Sequence, residues 1–155
     1  MSNLIYRQAT QDDLADIIRL LADDPLGVTR EDIPAAAGQP TKAYRDAFAA
    51  IQNDSRNELI VLELDGDVAG CLQLTYIPGL SRRGAERAQI ESVRVKSDLR
   101  GQGLGQKLFQ WAIDQAREKN CALVQLTTDA ARTDAHAFYE RLGFTPSHTG
   151  MKLSF

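Results

Sequence analysis

Residues 91–116 read ESVRVKSDLRGQGLGQKLFQWAIDQA: an alternating apolar run, three glycines at every second position, then a helical pattern. No other stretch restricts the fold as much. Three glycines within five residues let the backbone bend sharply and leave its N–H groups bare. A helix starting at the same point adds the positive end of its dipole, so the turn becomes an anion site, with phosphate the usual occupant. A plain strand-to-helix turn needs only one glycine. The strand before the turn and the apolar run at 121–128 after the helix make a β-α-β crossover.

The rest of the chain supplies what such a crossover packs against. Residues 4–9 form a short strand, and Thr10 with Asp13 opens a helix whose Leu14, Ile17, Ile18 and Leu21 recur at helical spacing. Residues 23–40 carry turn formers and acids without a clean period, which predicts a loop with helical turns. Residues 41–54 repeat an amphipathic helix with Tyr44, Phe48 and Ile51 inward. Asp65-Gly66 marks a hairpin between runs 59–64 and 68–77. A strand over 88–95 precedes the glycine turn. The helix behind it, of about 16 residues, turns Leu104, Leu108, Trp111, Ala112 and Ala116 inward and ends at Asn120. Residues 134–143 read as a short helix stopped by Gly143, and residues 144–155 have β-rich character. The order β-α-α-β-β-β-α-β-α-β predicts a mixed α+β fold, antiparallel in its first half.

Length and charge narrow the function. A chain of 155 residues is one domain's worth, spanning 1–155. The net charge of −3, from 18 basic and 21 acidic residues, lacks the basic surplus of a general nucleic-acid binder. No run approaches the roughly 18 apolar residues of a membrane span, and the first residues, MSNLIYRQATQDDLADI, show no secretory signal. Two cysteines, Cys71 and Cys121, are too few for a disulfide framework and read as thiols in a reducing cytoplasm. No His, Cys and carboxylate cluster has metal spacing, so no metal is expected.

Three glycine-rich templates compete for residues 100–106. A P-loop needs Gly-x-x-x-x-Gly-Lys-Ser/Thr, and both the spacing and the hydroxyl fail. A dinucleotide fingerprint needs Gly-x-Gly-x-x-Gly, and here the third glycine comes one place early. Arg/Gln-x-x-Gly-x-Gly/Ala after a strand fits Arg100-Gly101-Gln102-Gly103-Leu104-Gly105 residue for residue.

On that segment, and on DAHAFYERLGF at 134–144, the chain resembles the GCN5-related N-acetyltransferases. The resemblance covers the whole chain in element order and residues 88–144 in motif detail. It implies a central, mostly antiparallel sheet of six to seven strands flanked by helices. It also implies acetyl-coenzyme A as acyl donor and an amine as acceptor, with a homodimer possible. Coenzyme A offers a diphosphate for the N–H groups of Gly101, Gln102, Gly103, Leu104 and Gly105, with Arg100 adding charge. The stretch Val93, Arg94 and Val95 would pair like a neighbouring strand with the pantetheine arm, and the Val93 backbone would hold the oxyanion.

Acetyl transfer to an amine requires that a group with pKa about 10.4 lose a proton and that the departing thiolate gain one. Glu91 is the expected base, in phase with Val93 and Val95 so that burial strengthens it. The family often has a glutamate at the matching place, acting through a water. Tyr139 is the expected acid, since a phenol titrates near 10, and the resemblance assigns it that role. Where the family commonly has a cofactor-contacting asparagine, seven residues before this tyrosine, the sequence has Arg132. His136 reads as an exposed helix histidine, and His148 as a turn or pocket residue. Neither cysteine has a local base to make it a nucleophile.

The acceptor is less defined. Asp23, Asp24, Glu31 and Asp32 would form an acidic rim that favours a cationic amine, whereas Arg82 and Arg83 would suit an acidic group on the substrate or the cofactor's ribose phosphate. Two rival readings remain beside acetyl transfer to a small molecule or peptide: an acyl-CoA-binding sensor without turnover, and a dinucleotide-dependent oxidoreductase.

Overall fold

Hydrophobic alternation and helical periodicity resolve into nine main elements in the computed structural model, which describes residues 3–32 and 38–155. In chain order they are β1 (Leu4–Gln8), α1 (Leu14–Ala22), α2 (Lys42–Gln52), β2 (Asn57–Leu64), β3 (Asp67–Ile77), β4 (Arg87–Val95), α3 (Leu104–Glu118), β5 (Leu123–Gln125) and α4 (Thr133–Arg141). Tight 3-10 turns at Gln11–Asp13, Gly27–Thr29 and Ser97–Leu99 join them. Residues 33–37 of the expected 23–40 loop lie outside the described residues.

The strands form one sheet in the order β1-β2-β3-β4-β5, antiparallel except for the β4–β5 pair. At the β2–β3 hairpin, Asp65 (φ 53°) and Gly66 (φ 96°) are both left-handed, the twist that a two-residue turn needs to match its strands. The parallel β4–β5 pair requires the α3 crossover. Asn120 ends that crossover helix in a left-handed conformation (φ 59°), with the Cys121 N–H bonded back to Ala116 O at 2.9 Å.

Helices cover both faces. On one, Leu104, Leu108, Phe109, Ala112 and Ala116 of α3 pack under Leu62, Leu72, Leu74 and Ile90, with α4 completing that layer. On the other, Leu14, Ile17 and Ile18 of α1 and Phe48 of α2 cover Leu59, Val61 and Cys71. Asp13 pins the start of α1 by accepting the Thr10 N–H at 2.7 Å and the Arg7 guanidinium at 2.7 and 2.9 Å. Arg7 Nε reaches Glu63 at 2.9 Å, so one arginine ties β1, β2 and α1 together.

Two expectations change. The sheet has five strands among the described residues, not six to seven, because residues 145–155 pair with nothing. The strand expected at 121–128 is confined to Leu123–Gln125, because β5 runs beside β4 for only three pairs and then diverges. Among the described residues, no helix is long and apolar enough to cross a membrane.

Candidate active site

The glycine turn lies where β4 passes into α3. Gly101 (φ 79°) and Gly103 (φ 81°) are both left-handed, a conformation costly for any residue with a side chain. Gly103 caps α3. Six consecutive backbone N–H groups, from Gly101 to Gln106, donate to no backbone carbonyl among the described residues, the first within-turn bond being Lys107 N to Gly103 O at 3.1 Å. Successive open amides at a helix start make an anion-binding concavity. They open on a cavity of about 450 Å3, walled by Val95, Leu99 and the turn on one side and by Phe138, Arg141 and Leu142 of α4 on the other. A Cβ added to Gly101 or Gly103 would meet no atom within 4 Å, and one on Gly105 would stand 3.9 Å from Phe138 Cζ. The turn therefore leaves room for a ligand where ordinary side chains would stand.

Beside the turn, β4 has a bare edge. It pairs with β5 only at Arg87, Ala88 and Gln89, so from Ile90 to Val95 that side faces no strand among the described residues. The gap between the two diverging strands runs toward the glycine turn.

A β-bulge decides which way Glu91 points. Cys71 pairs with Arg94 and Gln73 with Glu91, so β3 advances two residues while β4 advances three. Ser92 absorbs the extra residue at φ 55°. Ala88, Ile90, Val93 and Val95 consequently all pack on the α3 side. Glu91 sits opposite Gln73 and shares the α1 side with Cys71, its alternate neighbour on β3. The expectation that Glu91 lies in phase with Val93 and Val95, and is buried, is corrected: it is exposed, on the opposite face. Around it lies a polar patch, where Gln125 Nε2 donates to Gln89 Oε1 at 2.7 Å and Thr75 Oγ1 to Asn57 Oδ1 at 2.7 Å.

Tyr139 belongs to the other face. Its ring stands edge-on to Phe109, with centroids 5.4 Å apart, and to Phe144, at 6.3 Å, inside the α3–α4 cluster. Phe138 and Leu142 pack against the same core and also wall the cavity. Glu91 and Tyr139 thus belong to opposite sides of the sheet.

The arginines expected at the cofactor have protein partners. Arg100 donates from Nε to Val95 O at 3.2 Å and from Nη2 to the backbone oxygen of Asp23 at 2.5 Å. Arg94 Nη2 lies 3.1 Å from Asp24 Oδ2, and Arg132 Nη2 donates to Asp24 Oδ1 at 3.0 Å. Burial alone would raise the Asp24 pKa, but the Gly27 and Leu26 N–H groups and the two guanidiniums outweigh it and hold the carboxyl below its usual range. Asp23 and Asp24 are therefore engaged within the chain, and the expected acidic rim loses two of its four carboxylates. Glu31 accepts the Tyr44 hydroxyl at 2.7 Å. Arg82 and Arg83, both left-handed, precede the start of β4. They stand a strand length of roughly 26 Å from the glycine turn, which separates them from a phosphate held there.

Sequence reasoning missed Arg141. It lines the cavity and has no carboxylate partner among the described residues; its place in the last turn of the same helix as Tyr139 was the available signal. The histidines stay local, with His136 Nε2 at 3.3 Å from Asp129 O and His148 Nδ1 at 2.7 Å from Ser147 Oγ. Burial pushes the Cys71 thiol up to about 12, against a smaller pull from Arg94, so it remains protonated. Among the described residues no three metal-ligating side chains cluster.

Comparison with known proteins agrees with this architecture. Residues 16–144 match the model of the acetyltransferase (GNAT) family. The aminoalkylphosphonate N-acetyltransferase of Salmonella typhimurium is 33% identical over 107 residues, 69% of each chain. A Bacillus halodurans C-125 protein described as a transcriptional regulator is 45% identical, with a TM-score of 0.91 over 99% of this chain and 100% of its own. A putative acetyltransferase from Agrobacterium tumefaciens is 28% identical, with a TM-score of 0.81 over 97% and 99%. The family match spans the hairpin, the bulged strand, the glycine turn and the aromatic helix alike, and the chain belongs to the acetyltransferase (GNAT) family as an N-acetyltransferase.

Proposed function

We propose that this protein transfers the acetyl group of acetyl-CoA to a primary amine of a small molecule or peptide, by direct attack in a ternary complex. One observation carries the reading: six open N–H groups end a strand whose neighbouring edge is also open. The diphosphate of the coenzyme binds at Gly101–Gln106, and the amide-bearing pantetheine arm lies along Ile90–Val95 as an added strand. The thioester then sits between the two faces of the sheet. Glu91 takes the ammonium proton from the α1 side, directly or through a water, the amine attacks the carbonyl carbon, and a β4 backbone N–H near Val93 holds the oxyanion. As the tetrahedral intermediate collapses, the C–S bond breaks, Tyr139, from the α3 side, protonates the leaving thiolate, and the second proton that the nitrogen loses as the amide forms returns through water to the phenolate. No step needs a metal ion or a cysteine nucleophile, and the buried, protonated Cys71 supplies none.

The acceptor docks on the polar α1-side patch around Glu91. With Asp23 and Asp24 held internally, steering by an acidic rim is weak. The Salmonella relative acts on an amine that carries an anion, and Arg87, which lies two and four residues before Gln89 and Glu91 on β4, suits such a substrate. The reaction belongs in the cytoplasm, where acetyl-CoA is made. Release of free thiol from acetyl-CoA, screened across aminoalkylphosphonates, polyamines, aminoglycosides and peptides, tests this directly. Thiol release with a primary amine supports transfer. CoA binding without release across the panel selects the sensor module instead.

A further inference from the structure

Three arginines at the start of β4 face no acid. Arg87 opens the strand half-buried, and Arg82 and Arg83 lie just before it in the β3–β4 connection. Among the described residues none of the three has a side-chain hydrogen bond or a carboxylate within ion-pair distance. Taking a guanidinium partly out of water without a counter-charge is unfavourable. Glu86, the single acid of residues 78–87, lies instead beside Cys121 in the α3 layer. Arg82 (φ 54°), Arg83 (φ 62°) and Gly84 (φ 77°) are left-handed in succession. Side chains resist that conformation, and such strain collects where ligands are held.

Arg87 shares a face with the polar patch around Glu91. Ala88 and Ile90 pack on α3, so Arg87, Gln89 and Glu91 alternate on the α1 side. Pairing with β3 is unbroken from Arg87 to Glu91, which puts the two roughly 13 Å apart along the strand. Arg87 Nη1 lies 3.4 Å from the point that a Gly79 Cβ would occupy, with Ala85 O at 3.8 Å and Ser81 Oγ at 4.0 Å from it. Gly79 leaves that point empty, between a cationic donor and a hydroxyl. Midway along the strand, Gln125 Nε2 donates to Gln89 Oε1. Gln89 Nε2 and Gln125 Oε1 have no partner among the described residues, so one donor and one acceptor stand side by side, the complement of a peptide group.

On the footing of acetyl transfer at Glu91, we propose that the acceptor is an acidic peptide lying extended along the α1 side of β4. Its terminal amine stands at Glu91, one of its peptide groups on Gln89 and Gln125, and a carboxylate of about its fourth or fifth residue at Arg87 and Ser81, since an extended chain covers roughly 13 Å in four residues. An acceptor whose amine and anion are only a few bonds apart engages one end of this face and not the other. The Arg82–Arg83 turn adds positive charge that draws an acidic chain to the correct end. The carboxylate lies a strand length from the glycine turn, so it does not compete with a diphosphate there.

Thiol release from acetyl-CoA with C-terminally amidated alanine-glycine heptapeptides tests this. One aspartate is placed at each position from two to six in turn, and kcat/KM is compared with that of the neutral peptide. The expected result is a gain of about tenfold with aspartate at position four or five, little gain at position two, and loss of the preference in Arg87→Gln. In Arg87→Glu the preference should turn to the peptide with arginine at that position, which a merely structural role would not produce. CoA affinity reports that the variants are folded. A gain at no position, or one that survives Arg87→Gln, would overturn the acidic peptide while release from neutral peptides still upheld acetyl transfer. Release from small amines and from no peptide would also overturn it, and release from no amine at all would remove the transfer reading as well.

Discussion

Asp24 and Arg132 stand 108 positions apart in the sequence and 3.0 Å apart in the fold. The same Asp24 oxygen accepts the Leu26 and Gly27 N–H groups at 2.8 Å, while the other faces Arg94 at 3.1 Å. One carboxylate thus fastens the loop after α1 to β4 and to the start of α4.

Removing that carboxylate leaves Arg94, only 22% exposed, without a counter-charge. Breaking a buried pair by deleting one partner typically costs 3–5 kcal/mol. Because Arg132 is more exposed, Asp24→Ala is expected near the low end, about 3 kcal/mol, in urea denaturation. Arg132→Ala should cost about 1 kcal/mol or less. Equal losses for the two variants would place the anchor elsewhere.

Acid sensitivity follows from Asp13. Its two hydrogen bonds from Arg7 outweigh burial and, with the Thr10 groups, hold its carboxyl below the usual range. A folded pKa below the unfolded value of about 3.9 means the stabilisation is full above that value and lost as pH falls through the lower one. Asp13→Asn should therefore cost about 2 kcal/mol at neutral pH and flatten the acid limb of the stability curve. An unchanged limb would assign the acid sensitivity to other carboxylates.

The two faces of the sheet predict a kinetic pattern. Tyr139→Phe and Glu91→Gln should each lower kcat by about 10²-fold while leaving the KM for acetyl-CoA nearly unchanged, since neither side chain holds the diphosphate. Steady-state thiol release reads both constants. A normal kcat in either variant removes that residue from the chemistry.

Cations at the turn should rank in an order the sequence does not suggest. Arg100 is held by Val95 and Asp23, whereas Arg141 lines the cavity with no carboxylate partner among the described residues. A charge-assisted hydrogen bond is worth about 1.5–3 kcal/mol, so Arg141→Ala should weaken CoA binding by about tenfold or more, and Arg100→Ala by less. Calorimetric titration of both variants checks the ranking.

What could be read in the chain beforehand was local. Asp65-Gly66 announces its hairpin, and the glycines at 101, 103 and 105 announce an anion turn, because each signal lies within a few residues of its effect. Glu91 was misplaced because the bulge at Ser92 has no glycine to mark it, and a single inserted residue reverses the facing of everything before it. The Asp24 clamp was invisible because its partners are brought together only by the whole sheet. At residues 144–155 the β-rich character predicts a strand, but a strand needs an edge to pair with, and among the described residues this segment pairs with none.

All of the proposed chemistry depends on the bare amides after Arg100 holding a diphosphate. Backbone amide NMR of the protein titrated with CoA tests this most directly. The signals of Gly101, Gln102, Gly103, Leu104, Gly105 and Gln106 should move together, downfield and saturably, as their N–H groups gain anionic acceptors. Saturable binding that leaves those six signals in place and shifts others would contradict it.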